Sequence, residues 1–260
     1  AEKYWPGPLT MILPKSDLVP QETTGGLDSV AVRFPSDRIA QELIKAAGGY
    51  VAAPSANTSG RPSPTKAEHV IEDMDGKIEM IIDGGAVGIG VESTIVDVSG
   101  EIPTLLRPGA ITIEMLRETL DQVDIDPVIL GPVSGDIKPK APGMKYRHYA
   151  PKADMTLVEG DMDKVVAYIN EQTKKAEAEG KKVGIICTEE SQDMYQGGNL
   201  EVIGSREHEE TVAHNLFAVL RDFDARKVDC IFSESFSKDQ LGQAIMNRLC
   251  KAAGYHVVNI

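Results

Sequence analysis

The five residues Val183–Cys187, with the sequence Val-Gly-Ile-Ile-Cys, form a nearly all-apolar run. A short run of this kind is typical of a strand that is buried on both faces of a parallel sheet. Parallel strands are joined by crossover connections that usually contain a helix, so we expect helices before and after this run. The run therefore predicts a parallel α/β fold for this part of the chain.

Outward from this run, strands and helices alternate with short loops between residues 153 and 260. The predicted strands are residues 155–158, 183–187 and 229–232, and the predicted helices are residues 161–178, 211–223 and 242–253. This alternation predicts a small, doubly wound, Rossmann-like α/β domain at residues 153–260. The domain has no G-x-G-x-x-G sequence, so no dinucleotide site is predicted.

The first 120 residues also alternate between strand and helix patterns. The predicted strands are residues 9–13, 29–34, 51–53, 80–83, 94–98 and 104–106, and the predicted helices are residues 36–47, 65–74 and 113–120. Thr65 and Glu68 have capping-box spacing, which favours Thr65 as a helix N-cap. His69 in the same helix is predicted to lie on the surface. Residues 1–120 are thus predicted to form an α/β domain with a mixed sheet.

Residues 121–152 have a different character. Five prolines and three glycines occur between residues 127 and 151, which predicts a long extended connection. Structureless stretches of this length are uncommon inside compact domains, so the segment is either a linker or a functional lid.

Composition narrows the functional classes. The 260 residues carry a net charge of −13, which argues against broad binding to nucleic-acid phosphates, although a local basic patch stays possible. There is no apolar run of about 18 residues, so no membrane span is predicted. Three cysteines without metal-type spacing are interpreted as reduced thiols of a cytoplasmic protein. No protein metal site is predicted.

A polar loop follows residues 51–53. It contains Ser55, Asn57 and Thr65 and is stiffened by prolines. Preset donors in a rigid loop suit an anionic small molecule, because they lose little entropy on binding. The alternative is a surface turn whose side chains only satisfy the local backbone.

Two arginines close predicted strands, Arg33 and Arg107, and each is followed by a turn. A guanidinium matches the geometry of a carboxylate or phosphate, but an arginine at a strand end is also an ordinary surface residue. Gly84, Gly85, Gly88 and Gly90 would allow a ligand to approach the backbone closely. Together these groups favour one pocket for a polyanion and a phosphoryl-type reaction governed by positioning and charge.

Several ordered motifs then carry a family resemblance. They are Tyr4–Thr10, Val30–Arg33, Ala53–Asn57, Ser63–Thr65, Asp83–Gly85, Glu92–Thr94, Leu106–Gly109, Ala141–Pro151, Asn215–Phe217, Leu220–Arg221 and Gly242–Leu249. In these motifs the chain resembles the YrdC-type threonylcarbamoyl-AMP synthases, in particular their longer, two-domain branch. The resemblance implies a YrdC-like twisted mixed sheet followed by a smaller Rossmann-like C-terminal domain.

The resemblance also implies an activity. Such an enzyme is a nucleotidyltransferase that joins L-threonine, bicarbonate and ATP, with Mg²⁺ expected, into threonylcarbamoyl-AMP and pyrophosphate. The product supplies the threonylcarbamoyladenosine of tRNA. By motif, threonine would be bound by Arg33, Ser55 and Ser93. ATP would be bound by Ser29, Asn57, Thr65, Arg107 and Tyr149, with Tyr149 reaching over the nucleotide from the linker.

One departure from the family pattern concerns the start of the chain. The family's N-terminal portion, with a Lys-x-Arg motif that contacts ATP, would precede Tyr4 and is not in the sequence. We therefore expect these 260 residues to be an N-terminally incomplete form that is inactive alone. Two other interpretations remain: a module that binds double-stranded RNA or tRNA, and a carbamoyl-transfer domain of a maturation factor.

Overall fold

The structure is a computed structural model that describes residues 1–131 and 148–260. The described residues form two compact units. The first unit contains residues 1–55 and the described residues from 92 onward to 131, and the second contains residues 56–91 and 148–260. Each unit is built around its own sheet.

Eight helices are described. They are α1 (Gln21–Thr24), α2 (Arg38–Ala46), α3 (Ala67–Met74), α4 (Ile113–Arg117), α5 (Pro127–Leu130), α6 (Met162–Ala178), α7 (Glu209–Arg226) and α8 (Gln240–Ala252). In α2 the side chain of Asp37 accepts a hydrogen bond from the amide of Ala40, so this helix begins with a capping aspartate. None of the helices within the described ranges is both long and apolar enough to cross a membrane.

The sheet of the first unit has five strands. They are β1 (Leu9–Pro14), β2 (Ser29–Arg33), β3 (Thr94–Asp97), β4 (Thr104–Arg107) and β5 (Asp124–Ile125). Their spatial order is β2-β1-β3-β4-β5. The pairs β1–β2 and β3–β4 are antiparallel, whereas β1–β3 and β4–β5 are parallel. The predicted mixed sheet is therefore confirmed.

The core of the first unit lies on one face of this sheet. Leu9, Val96 and Leu105 from three adjacent strands pack with Ile113 and Leu116 of α4. All five side chains are at most 5% exposed. Alternation along a strand sends the intervening residues to the opposite face, where Ile12, Ile95 and Leu106 form a second, smaller apolar cluster.

The sheet of the second unit is entirely parallel. Its strands are β6 (Asp154–Glu159), β7 (Val183–Cys187), β8 (Asn199–Val202), β9 (Cys230–Glu234) and β10 (Val257–Asn259), in the order β10-β6-β9-β7-β8. All five residues of β7 are buried, as its apolar sequence predicts. The predicted Rossmann-like architecture is confirmed.

Two strand predictions are wrong. Residues 51–53 and 80–83 form no strand, and most of their side chains are exposed. A strand requires a neighbour that completes its hydrogen bonds, and neither segment pairs with a described strand. An apolar run of three or four residues cannot reveal whether such a neighbour exists.

Other elements were not predicted. β5 and α5 lie within the stretch that was expected to be extended, and β8 and β10 are sheet edges with mixed polar and apolar sequences. The remaining part of that stretch, including residues 132–147 of the expected linker and lid, lies outside the described residues. Edge strands are only half buried, so their sequences carry a weak hydrophobic pattern.

Candidate active site

Two hydroxyl side chains and two arginines lie at one edge of the first sheet, namely the edge where β1 and β3 begin. Thr10 on β1 lies directly opposite Arg33, the last residue of β2, and beside Ile95 of β3. Ile95 in turn lies opposite Arg107, the last residue of β4. Ser93 immediately precedes β3 at the same edge. Because β2 pairs antiparallel with β1, and β4 pairs antiparallel with β3, both arginines lie where β1 and β3 begin.

Three of these side chains are joined by hydrogen bonds. The hydroxyls of Thr10 and Ser93 are 2.7 Å apart. Arg107 donates from Nε to the carbonyl oxygen of Ser93 at 2.9 Å, and from a terminal nitrogen to the Ser93 hydroxyl at 3.1 Å. Ser93 is 5% exposed and Thr10 is 9% exposed. The buried hydroxyl of Ser93 is therefore held in place from two sides, while Arg33 remains exposed.

A tight backbone contact fixes the turn that follows Arg107. A Cβ added at Gly109 would lie 2.6 Å from the amide nitrogen of Thr94 and 2.7 Å from its hydroxyl oxygen. That hydroxyl bridges across the turn, donating to the carbonyl of Ile111 and accepting from its amide. Gly109 is thus required for the close packing that places Arg107 beside Ser93.

The other two predicted site residues of the first unit lie elsewhere in it. Ser29 begins β2 and is paired with Pro14, so it lies four residues along the strand from Arg33. At about 3.3 Å per residue this separates their backbones by roughly 13 Å. Ser55 is exposed at the end of the unit's first segment. The structure therefore brings Arg33, Ser93 and Arg107 to one sheet edge and places Ser29 away from it.

In the second unit, Asn57 orders the polar loop. Its side-chain nitrogen donates to the carbonyls of Thr58 at 3.0 Å and Arg61 at 3.2 Å. Its Oδ1 atom is buried and has no hydrogen-bond partner among the described residues. Hydrogen bonding to the local backbone thus explains the contacts of the Asn57 side-chain nitrogen, but it does not explain its buried oxygen.

An ion-pair network anchors the same loop to α3 and α7. The carboxylate of Asp73 is bound by Arg61, by Arg221 at 2.8 Å and by the amide of Thr58 at 3.1 Å. Arg221 also donates to the carbonyl of Pro62. Burial opposes ionisation of Asp73, but the hydrogen bonds from Arg221 and Thr58 outweigh it and lower the pKa of Asp73 below its ordinary value. The loop is therefore rigid for a structural reason.

Thr65 does not cap α3, so that prediction is wrong. The N-cap position is Lys66, and it makes no side-chain capping bond. Instead, the amide of Thr65 donates to Nδ1 of His69 at 3.1 Å. His69 is 9% exposed and not on the surface as predicted. Burial, followed by the nearby charge of Arg221, lowers the pKa of His69 and keeps its ring neutral at neutral pH.

Tyr149 lies in the core of the second unit. Its side chain is 5% exposed, and its ring packs on Phe217 of α7 with the centroids 5.1 Å apart. Its backbone has φ 64, a left-handed conformation that costs most residues about 1–2 kcal/mol. The next residue, Ala150, donates its amide hydrogen to the carbonyl of Gly60 at 3.0 Å. The segment of Tyr149 is thus joined to the loop that Asn57 orders.

The glycine-rich segment has two different parts. A Cβ at Gly85 or Gly88 would meet no atom within 4 Å. At Gly90, by contrast, it would lie closer than 3.0 Å to backbone atoms of Ala213 and His214 in α7. Gly90 therefore serves helix packing, whereas the first two glycines remain open to solvent.

Thr10 belongs to the candidate site, but the sequence analysis assigned it no role. It is part of the motif Tyr4–Thr10. The available signal was a hydroxyl in the apolar run Leu9–Leu13. In the structure this hydroxyl connects to Ser93 and lies opposite Arg33. Pairing between strands that are distant in sequence creates this arrangement.

No metal cage is found in the described part of the chain, since no three His, Cys, Asp or Glu side chains there are grouped to hold an ion. The three cysteines are free thiols, and burial, followed by the Glu234 charge, raises the pKa of Cys187 to about 12. Cys187 is therefore a structural core residue rather than a nucleophile.

Family models match nearly all of the chain. Residues 1–109 match the model described as "Telomere recombination", and residues 111–254 match "Threonylcarbamoyl-AMP synthase, C-terminal domain". The curated threonylcarbamoyl-AMP synthase of Pyrococcus abyssi is 48% identical over 260 residues, which are 100% of this chain and 74% of that protein. The chain belongs to the threonylcarbamoyl-AMP synthase family.

Further family members agree with this assignment. The Bacillus subtilis threonylcarbamoyl-AMP synthase is 46% identical over 99% of this chain and 72% of its own length. A crystal structure of P. abyssi Sua5 complexed with L-threonine superposes with a TM-score of 0.92 at 48% identity, covering 100% of this chain and 74% of that chain. The predicted family and fold class are confirmed, and membership in this enzyme family favours the enzyme over the RNA-binding and carbamoyl-transfer alternatives.

Proposed function

We propose that this chain belongs to an enzyme that makes threonylcarbamoyl-AMP and pyrophosphate from L-threonine, bicarbonate and ATP. The observation that carries the proposal is the edge cluster of Thr10, Arg33, Ser93 and Arg107, found in a chain of this family. A guanidinium that faces solvent beside fixed hydroxyls suits a small amino acid carboxylate.

In this proposal threonine is held by Arg33, Ser55 and Ser93. Arg33 would pair with the carboxylate, because it is the exposed guanidinium of the cluster. Ser93 would contact the substrate with a hydroxyl whose direction is set by Thr10 and Arg107. A preset hydroxyl loses little entropy on binding, which favours a small ligand with few contacts.

The threonine amine would react with bicarbonate to give a carbamate and water. A carbamate oxygen would then attack the α-phosphorus of ATP, forming the mixed anhydride and releasing pyrophosphate. The chain's part in these steps is positioning and charge stabilisation rather than covalent catalysis. Arg107 fits the role of charge stabilisation, because its guanidinium lies beside the hydroxyl of Ser93 at the same sheet edge.

The nucleotide contacts are also proposals. We assign them to Ser29, Asn57, Thr65, Arg107 and Tyr149. The best supported of these contacts is that of Asn57. Its buried side-chain oxygen has no hydrogen-bond donor among the described residues and would accept a hydrogen bond from the nucleotide. Tyr149 is supported only by its link, through Ala150, to the Asn57 loop.

Mg²⁺ fits as a companion of ATP rather than as a resident ion. The described residues offer no group of three ligands, and Mg²⁺ in nucleotide sites is commonly held by phosphates and only one or two carboxylates. We further propose that the product is used in the cytoplasm by proteins that modify tRNA.

Calorimetry tests the threonine site. L-threonine is titrated into the wild-type chain, into Arg33→Ala and into Arg38→Ala, which removes another exposed arginine, from the start of α2. Loss of a charged hydrogen bond of about 1.5–3 kcal/mol predicts a roughly 10- to 100-fold weaker threonine affinity for Arg33→Ala, with unchanged ATP affinity. Arg38→Ala should bind threonine normally. Equal losses in both variants, or equal losses for threonine and ATP, would contradict the assignment.

Pyrophosphate release tests the reaction itself. Measured on a form that carries the family's N-terminal portion, release should require threonine, bicarbonate and ATP together, and leaving out any one substrate should abolish it. Release that persists without threonine would show a different reaction.

A further inference from the structure

The second unit has a crevice between β6 and β9, where the crossover connections run to opposite sides of the sheet. β6 and β9 are adjacent parallel strands. From β6 the chain passes through α6 to β7 on one side, and from β9 it passes through α8 to β10 on the other side. Ligands of open α/β sheets bind outside the carboxyl ends of strands at such switch points.

The packing of neighbouring residues confirms that the two connections cover opposite faces. Val158 packs with Val165 and Ile169 of α6. The preceding residue, Leu157, packs in a separate cluster with Ile245 of α8. The two helices therefore leave an opening between the ends of β6 and β9.

A pocket of about 370 Å³ lies at this opening. Its walls come from the end of β6, the start of α6, the segment after β9 and the loop between β8 and α7. The lining residues are Glu159, Gly160, Met162, Val165, Arg206, Ser235 and Phe236. The pocket combines an apolar wall, formed by two aliphatic side chains and one aromatic ring, with a guanidinium.

A buried carboxylate holds that guanidinium. Glu234, the last residue of β9, has 0% exposure. It accepts hydrogen bonds from Ser191, from Tyr195 at 2.8 Å and from Thr188 at 3.3 Å, and it forms an ion pair with Arg206 at 2.5 Å. A buried carboxylate without such partners is strongly unfavourable. The buried carboxylate of Glu234 thus fixes the position of Arg206 at the pocket.

Two more contacts orient Arg206. It donates to the carbonyl of Ser235 at 3.0 Å, and its guanidinium carbon lies 5.0 Å from the ring centroid of Phe236. The Nε atom of Arg206 is buried and has no hydrogen-bond partner among the described residues. No step of the proposed synthase reaction uses this arginine.

The start of α6 lies at the same wall. Met162 and Val165 in its first turns line the pocket, and the N-cap Asp161 makes no side-chain capping bond. The first amides of a helix lack intrahelical acceptors and carry a partial positive charge. At the rim, Glu159 is paired with Lys238 at 2.5 Å, so its negative charge is compensated.

We propose that this pocket binds a small organic oxyanion. Its carboxylate or phosphate group would lie between the first turn of α6 and Arg206, and its apolar part against Phe236, Met162 and Val165. This site is distinct from the synthase site proposed above, because none of its lining residues is assigned to threonine or ATP.

Three probes with one aromatic ring each test the chemistry: phenyl phosphate, benzoate and neutral benzyl alcohol. Each is titrated into the whole chain and followed by calorimetry. Binding of either anion without benzyl alcohol supports the site, and the preferred anion identifies phosphate or carboxylate as the acidic group. Binding of neither anion, or equal binding of all three probes, overturns the proposal.

A charge variant tests the location. Met162→Glu places a carboxylate at the pocket wall, and an acidic residue suits the first turn of a helix, so the variant should fold. Met162→Gln has nearly the same shape without the charge. The anion that binds wild type should bind Met162→Glu about tenfold or more weakly than Met162→Gln, because like charges repel. Equal affinity of the two variants overturns the proposed position.

Discussion

Replacing Gly90 by alanine should strongly destabilise the second unit. Gly90 has φ +86, and an added Cβ would lie closer than 3.0 Å to the Cα atom of His214 and the carbonyl oxygens of Ala213 and His214. These are backbone atoms in the middle of α7, an 18-residue helix. They cannot rotate away as the end of a side chain can.

The expected loss has two parts. Alanine in a left-handed conformation costs about 1–2 kcal/mol relative to glycine. Relief of the clash moves the loop away from α7 and partly exposes the adjacent Val91, which is 9% exposed and belongs to the core that α7 covers. Exposing a side chain of this size costs up to about 1.5–3 kcal/mol. The free energy of unfolding should therefore fall by about 2.5–5 kcal/mol.

Two neighbouring glycines provide matched controls. Gly85 has φ +88 but open space around it, so Gly85→Ala should lose only the backbone part, about 1–2 kcal/mol. Gly88 has open space and no positive φ, so Gly88→Ala should change stability by less than about 0.5 kcal/mol. Urea unfolding followed by circular dichroism measures all three. If Gly90→Ala is no less stable than Gly85→Ala, the contact with α7 does not matter and the reasoning is refuted.

Two further predictions concern single hydrogen-bond acceptors and donors. Thr10→Val keeps the shape of the side chain but removes its 2.7 Å bond to Ser93. Thr10→Val should lower the free energy of unfolding in urea by about 0.5–1.5 kcal/mol and weaken threonine binding in calorimetry. Thr10→Ser should preserve both the stability and the threonine affinity. Normal threonine binding by Thr10→Val would count against a positioning role for Thr10. For Glu190, burial is outweighed by the hydrogen bond from Ser205 and backbone amides, which lower its pKa from 4.5 to about 2. A lowered carboxyl pKa stabilises the fold above pH 4.5, and this contribution is lost as the pH falls towards 2. Near neutrality the urea midpoint of Glu190→Gln should therefore be lower than that of wild type, and between pH 4.5 and 2 it should change less with pH. If the midpoints of the two proteins change in parallel with pH, Glu190 does not have this role.

The site was only partly predictable from sequence, and the reason differs between residues. Arg33 and Arg107 could be proposed from sequence because a charged group that ends an apolar strand is visible along the chain. Thr10 was missed because its importance comes from strand pairing, which places it opposite Arg33 and beside Ser93. His69 was misplaced because a histidine at one helical position can be buried or exposed, and only its contact with Thr65 decides this.

The strands show the same division. The sequence by itself determined β7 and the helices around it, because a strand buried on both faces must be apolar throughout and helices repeat their apolar residues at regular spacing. Only the tertiary structure decided that residues 51–53 and 80–83 form no strand, that β8 and β10 form the sheet edges, and that Arg33 and Arg107 lie at the same end of β1 and β3. Strand formation and side-chain convergence depend on partners from distant parts of the chain, and local sequence carries no record of those partners.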